Sequence, residues 1–236
     1  MILPTLKFSI VIKLQKFFLA LLLCFISSVG FVSAQWNDAQ LWTSVSIEKK
    51  VIKSFSVSLA EEVRFTDNIN ELGEFFTDIG LNYKINKNWR ISGNYRFTNK
   101  IQLDNSYSKR HRYYFDLSYR RKVYMLTIVL RTRFQSQYKN INSSENGHLP
   151  EYYSRNKLTL KYNATRRLSP YISAEAFIPL NNPKVGGIDN MRYSAGLEWE
   201  FIKNSTFDFY YMIQQQYQAK NPERDFVAGI GYSYSF

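Results

Sequence analysis

The last eleven residues of the chain, 226–236, constrain the fold more than any other stretch, because two sets of side chains of different character alternate there. One set is apolar and aromatic and ends on Phe236, whereas the intervening set is small and mostly polar. Alternation with a period of two puts these sets on opposite faces of one strand. A strand of about ten residues, apolar outside and polar inside, is typical of a transmembrane β-barrel. The stretch therefore predicts a strand that belongs to such a barrel.

The first 34 residues are predicted to be a signal peptide that is removed. Three lysines precede the apolar run 17–26, and small residues at 32–34 resemble a cleavage site. The apolar run is short for a membrane anchor. Cys24 lies inside the signal, so the predicted mature chain, 35–236, has no cysteine and no disulfide.

The mature chain has the length of one domain and a basic charge balance. It carries 28 of the 31 Lys and Arg residues and all 19 acidic residues, which gives a net charge of +9. A basic chain can indicate nucleic-acid binding, but an exported protein seldom meets nucleic acid, and we expect no such partner. The signal and the alternation together predict a bacterial outer-membrane protein. Its expected partners are outer-membrane lipid and the outer-membrane assembly machinery, for which the terminal Phe236 resembles a recognition signal.

Ten alternating stretches precede the last one, so eleven strands can be counted. They cover 41–49, 55–66, 75–84, 89–98, 110–120, 124–138, 155–163, 170–178, 191–201, 207–216 and 226–236. Bacterial single-chain barrels have an even number of strands. Either the polar leader 35–40 adds a partial twelfth strand, or two of the stretches do not both lie in the wall. We therefore expect an all-β antiparallel transmembrane β-barrel of about 12 strands, with ten strands as the alternative.

Short turns and long loops alternate along the chain, and outer-membrane barrels keep their short turns in the periplasm. A periplasmic Phe236 puts every long loop outside. Glu61 breaks the alternation, because it falls among apolar residues of the outward set. A β-bulge at Glu61, or a position near the lipid headgroups, would account for it.

Several short stretches, taken in order, resemble those of a known family. They are Leu41-Trp42-Thr43 through Glu48-Lys49-Lys50, 61–65, 77–84, 93–96, 155–158, 192–198 and 231–236. In this order they are similar to the bacterial outer-membrane proteins of domain-of-unknown-function family 2490, over essentially the whole mature chain. The resemblance implies an envelope β-barrel, and it implies no established activity, cofactor or catalytic residue.

The polar set of the strands predicts a charged lumen. The candidate lumen charge network comprises Glu62, Arg64, Asp78, Arg96, Arg131, Arg133, Arg155, Lys157, Glu175, Arg192 and Glu198. Arginine presents a fixed fork of donors that can pair with carboxylates. Ion pairs of this kind could fill a narrow barrel, or the charges could surround a water-filled pore that favours small anionic solutes.

Four of these cations are expected to meet on adjacent strands. Arg131 and Arg133 share one face of a strand, and Arg155 and Lys157 share one face of the next. Like charges repel unless acids cross over to them or water fills the space. We expect acids such as Glu175 or Glu198 to cross over in a plugged barrel.

The sequence does not predict an enzyme. A lipid-acting hydrolase would need a base next to its nucleophile, and the two histidines lie in the outward set (His111) and in a loop (His148). Glu198 and Glu200 share a strand face, but Arg192 nearby suggests a salt bridge. Neither metal-ligand spacing nor a phosphate-binding loop is present, so no cofactor is expected. A structural or adhesive envelope protein that acts through its loops remains an alternative.

Overall fold

The computed structural model describes residues 36–102, 106–138, 150–181, 186–218 and 222–236, and their regular structure is entirely β. The strands are β1 (Trp36–Ile52), β2 (Phe55–Thr66), β3 (Glu71–Lys84), β4 (Trp89–Ile101), β5 (Tyr107–Val123), β6 (Leu126–Tyr138), β7 (Glu151–Tyr162), β8 (Leu168–Pro179), β9 (Asn190–Ile202), β10 (Ser205–Gln216) and β11 (Glu223–Ser235). Within these described ranges, no helix is long and apolar enough to cross a membrane.

The eleven strands close into one barrel. Each strand pairs antiparallel with the next, and β1 pairs in parallel with β11, from Trp36 opposite Glu223 to Glu48 opposite Ser235. We call this parallel pair the seam. An odd number of strands that alternate in direction must leave one parallel pair. The all-β barrel prediction is confirmed.

Both predicted strand counts, twelve and ten, are wrong, because the described residues close the barrel with eleven. From Trp36 onward, the polar leader is the first part of β1 and pairs with β11 instead of forming a separate strand. Its side chains also contribute to the interior, since Gln40 is buried and accepts a hydrogen bond from the Trp42 indole at 2.8 Å.

The alternation in β11 sorts its side chains as expected. Val227 is buried in the lumen against Trp42 and Met212, whereas Ile230 on the other face is 45% exposed. Small residues on the lumen face leave room for larger side chains from neighbouring strands. The ring of Tyr210 lies across Gly229, where an added Cβ would come within 2.0 Å of it.

The strand ends form two rims. The connections 53–54, 85–88, 124–125, 163–167 and 203–204 lie at one end, the short-turn rim, and the other connections form the long-loop rim. Phe236 lies at the short-turn rim beside β1. Its N–H donates to the Glu48 carbonyl (3.0 Å), and its carbonyl accepts from the Lys50 N–H (2.8 Å).

Two local predictions need correction. The turn expected at 121–122 lies at 124–125, because β5 continues to Val123 and Tyr124 adopts a left-handed backbone with φ of 53°. The strand pairing runs unbroken through Glu61, so no bulge occurs there, and the nearest register shift of β2 lies between Arg64 and Phe65. Glu61 is exposed on the outer wall, the face directed away from the lumen.

Candidate functional site

A cavity of about 480 Å³ lies in the lumen and is lined mainly by charged side chains. Ten cationic residues line it: Arg64, Arg96, Lys100, Arg110, Arg112, Arg131, Arg133, Arg155, Lys157 and Arg192. Five acidic residues do so: Glu62, Glu74, Glu175, Asp208 and Asp225. The polar set of every strand faces inward, so the charges converge from all sides of the barrel.

Arginines and aromatic rings alternate around one side of this cavity. The Arg64 guanidinium carbon lies 3.6 Å from the ring centre of Trp42 and 4.9 Å from that of Phe76. Arg96 lies 3.7 Å from Phe76 and 5.9 Å from Tyr114. A cation over an aromatic face is attracted by the electrons of the ring.

The ring closes on the opposite side of the cavity, where two arginines follow each other directly. Arg133 stacks on the Tyr114 ring at 3.7 Å and faces Arg155 in the pairing of β6 with β7. Arg155 and Arg192 lie 4.2 Å and 4.8 Å from the ring centre of Phe177, and Arg192 lies 5.2 Å from Trp42, where the ring began. We call these nine residues the arginine belt: Arg64, Arg96, Arg133, Arg155, Arg192, Trp42, Phe76, Tyr114 and Phe177.

Carboxylates hold two of the belt arginines on one wall. Arg133 donates from Nε and Nη2 to the two Asp116 oxygens, at 2.6 and 2.7 Å, and both side chains are buried. Arg96 contacts Asp78 Oδ2 from Nε and Nη2, each at 2.8 Å. The Tyr114 hydroxyl donates to Asp78 as well, so aromatic ring and carboxylate are part of one hydrogen-bonded unit.

The four cations that were expected to meet do face one another. Arg131 lies opposite Lys157, and Arg133 lies opposite Arg155. Glu175 reaches across from β8 and accepts from Arg131 Nη2 at 2.6 Å and from Arg155 Nε at 3.0 Å. One buried carboxylate therefore contacts two of the four cations, and its single negative charge offsets one of the four positive charges.

Arg64 is held by two acids of the long-loop half of the barrel. Its Nε lies 2.6 Å from Glu62 Oε1, and its Nη1 lies 3.5 Å from Glu74 Oε2. The side chains of all three are mostly buried. Glu62 and Arg64 are a pair within one strand, whereas Glu74 joins from β3.

Glu198 does not join the network that the sequence predicted for it. It pairs with Lys161 instead, and Arg192 Nε donates to Gln214 Oε1 at 2.6 Å. Six residues along β9 separate Arg192 from Glu198, which is roughly 20 Å in an extended strand. A shared strand face alone could not bring the two side chains into contact.

Several cations of the cavity have no carboxylate within ion-pair distance in the described part of the chain: Lys100, Arg110, Arg112, Lys157 and Arg192. Of these, Arg112 donates to the Gln137 amide oxygen at 2.9 Å. Adding Asp78 and Asp116 to the five lining acids makes seven acids against ten cations, an excess of three positive charges. This excess favours an anion in the cavity over a cation.

The aromatic members of the belt were missed as site residues. Trp42, Phe76, Tyr114 and Phe177 each occupy a lumen-facing position among otherwise polar residues. A large ring on the polar face of a strand was the signal that could have found them. Asp116 was absent from the predicted charge network, although the alternation of side chains puts it on the same lumen face as Tyr114.

His111 lies on the outer wall, away from the cavity. His111 Nδ1 is 2.7 Å from the Tyr95 hydroxyl on the outer wall, and His148 lies outside the described residues. Among those residues, no group of three His, Cys, Asp or Glu side chains could hold a metal ion.

A closed barrel with a charged interior and an apolar exterior defines the class of this protein. The family described as "Protein of unknown function (DUF2490)" matches residues 39–225, and the chain belongs to this family. The family resemblance drawn from the sequence is therefore confirmed. No curated protein matches the chain.

Solved structures with a similar fold include two porins and an autotransporter domain. The NanC porin has a TM-score of 0.47 and 12% identity, over 75% of this chain and 86% of that chain. The KdgM porin has a TM-score of 0.43 and 13% identity, over 72% and 80%. The β domain of the Bordetella autotransporter BrkA has a TM-score of 0.45 and 11% identity, over 79% and 86%. These values are too low to transfer a function.

Proposed function

We propose that the protein is an integral outer-membrane β-barrel in which the arginine belt forms a narrow passage that favours small anions. The observation that carries this proposal is the closed ring of five guanidinium groups around a cavity with three excess positive charges. Rings of charged side chains determine which ions a pore admits. Guanidinium groups remain protonated in proteins, so the charge of the ring is permanent.

The outer wall supports a membrane location. Phe115, Phe134 and Leu81 are more than half exposed there, and many other large apolar side chains share that surface. An apolar surface of this extent would favour association in water, but it suits the hydrocarbon of a bilayer. The predicted signal peptide provides the route of export.

A sealed lumen is the second candidate, and the buried ion pairs of the belt favour it. Arg133 with Asp116 and Arg155 with Glu175 join neighbouring strands on the lumen face, and their side chains have little exposure. In that case the belt would serve stability, and the barrel would conduct no ions. The anion passage is preferred because the charges in the cavity do not balance.

Planar-bilayer recording of the purified protein tests the proposal. Under a KCl gradient, we expect a small conductance whose reversal potential has the sign of anion selectivity. Arg192→Ala removes a belt charge that has no carboxylate partner, and it should reduce this selectivity. Lys53→Ala removes an equal charge from the short-turn rim and serves as the matched control. A large cation-selective conductance, or a barrel that inserts but stays silent, would overturn the proposed passage.

A further inference from the structure

The short-turn rim carries a concentration of positive charge that the lumen does not use. All five connections of this rim have a cation within or beside them, and none of the five contains Asp or Glu. The exposed cations are Lys50, Lys53, Lys84, Lys87, Arg120, Arg121, Lys122, Arg166, Arg167 and Lys203. Glu200 also lies at this rim, where it accepts a hydrogen bond from the Asn204 N–H, but cations outnumber acids there. A local excess of positive charge attracts an anionic surface or ligand.

At one point this rim forms a cleft. Lys87, Arg120, Arg121 and Lys122 line it together with Asn88, and its volume is about 480 Å³. Two hydrogen bonds fix its walls to each other: Asn88 Nδ2 donates to the Arg120 carbonyl (2.7 Å), and the Arg120 N–H donates to the Asn88 carbonyl (2.8 Å). No described carboxylate forms an ion pair with any of the four cations.

An apolar groove lies on the outer wall, and two of its lining residues adjoin cleft residues in the chain. Trp89, Leu117, Tyr119, Leu130 and Thr132 line it, and its volume is about 340 Å³. Trp89 directly follows Asn88 of the cleft, and Tyr119 directly precedes Arg120. The two rings lie 4.9 Å apart at the entrance, and the groove runs from there along β5 and β6 toward the middle of the wall.

We propose that cleft and groove together bind one anionic phospholipid, with its phosphate among the four cations and an acyl chain in the groove. The paired geometry carries this inference, because a free phosphate would need the cleft but would have no use for the groove. Trp and Tyr are suited to the level between headgroup and chain. Tyr124, which is 90% exposed at the adjoining turn, lies at the rim beside the cleft. The proposal rests on membrane embedding, but not on conduction through the lumen.

Native mass spectrometry of the protein released from lipid nanodiscs tests the site. The nanodiscs contain phosphatidylcholine alone or phosphatidylcholine with phosphatidylglycerol. We expect one phosphatidylglycerol molecule to be retained in preference to phosphatidylcholine. The double variant Arg121→Gln with Lys122→Gln should weaken this retention at least tenfold. Arg166→Gln with Arg167→Gln removes the same charge from the same rim, outside the cleft, and should change retention less than twofold.

Further outcomes distinguish a specific lipid site from general attraction by the rim and from a site for soluble phosphate. Equal losses in both double variants would mean that the rim attracts anionic lipid without a specific site, and would overturn the proposal. Trp89→Ala should also weaken retention, because it opens the entrance of the groove. Displacement of the lipid by glycerol phosphate, which has a headgroup but no chains, would assign the cleft to a soluble phosphate instead.

Heat-modifiable migration on a gel verifies that each variant is folded. A protein that fails to insert into any nanodisc would contradict the membrane location on which both proposals rest. Insertion without lipid preference would contradict only the lipid site, whereas a normal lipid site with no anion selectivity would contradict only the passage.

Discussion

Replacing Arg133 by alanine should destabilise the barrel strongly, because the buried Asp116 carboxylate would lose its partner. Arg133 makes two short hydrogen bonds to Asp116, at 2.6 and 2.7 Å, and the two residues are only 7% and 9% exposed. Removing one partner of a buried ion pair costs about 3–5 kcal/mol, most of it from the uncompensated charge that stays behind. Loss of the stacking on Tyr114 adds about 0.5–2 kcal/mol.

Two further variants test whether the unpaired charge of Asp116 causes the loss of stability. The double variant Asp116→Asn with Arg133→Gln removes both charges and should lose less than half as much stability as Arg133→Ala. Arg192→Ala removes another belt arginine, but its side-chain partner is the neutral Gln214. That variant loses one hydrogen bond and the contacts with the Phe177 and Trp42 rings, so it should cost about 1–3 kcal/mol. It leaves no carboxylate without a partner.

Urea unfolding of the barrel in lipid vesicles, followed by tryptophan fluorescence, measures these differences. Gel migration before and after heating verifies that each variant starts from the folded state. If Arg133→Ala costs no more than Arg192→Ala, then water solvates Asp116 and the reasoning from burial is refuted. That result would at the same time favour an open, hydrated lumen.

Two further predictions concern the end of the chain and the outer wall. A chain that ends at Ser235 should assemble poorly in cells even though Phe236 is half exposed, because Phe236 resembles an assembly signal and also pairs with β1. Membrane fractionation measures the amount of assembled protein, and normal insertion of the shortened chain would contradict this prediction. Glu61→Leu should raise the free energy of unfolding in lipid by about 1 kcal/mol, because in the proposed membrane location the exposed carboxylate would face hydrocarbon. An unchanged urea midpoint would instead place Glu61 among the headgroups.

The sequence predicted the faces of the strands because the side-chain period is a local property. Every strand that was expected from alternation occurs, and the inward set of β11 is inward in the structure. The strand count could not be derived in the same way. Whether Trp36 starts a separate strand or extends β1 depends on its pairing with Glu223, nearly two hundred residues away.

The sequence predicted which side chains face the candidate site, but not which of them contact one another. The alternation of side chains placed Arg131, Arg133 and Glu175 on the lumen face, but contacts also depend on the register between strands. Register joined Glu175 to Arg131 and Arg155 and kept Glu198 away from Arg192. Neither strand of such a pair encodes this relation alone, because a shift of two residues preserves every face and changes every partner.

The parallel seam has a consequence for the two ends of the barrel wall. In an even-stranded barrel, the first strand begins at the rim where the last strand ends, and a short peptide could join them. Here Trp36 lies beside Glu223 at the long-loop rim, whereas the end of β11 lies at the short-turn rim. Thirteen paired positions, which are twelve residue steps, run from one point to the other, a path of about 40 Å at about 3.3 Å per residue. A circular permutant would need a linker that spans the full height of the barrel. Epitopes fused before Trp36 and after Phe236 would lie at opposite rims.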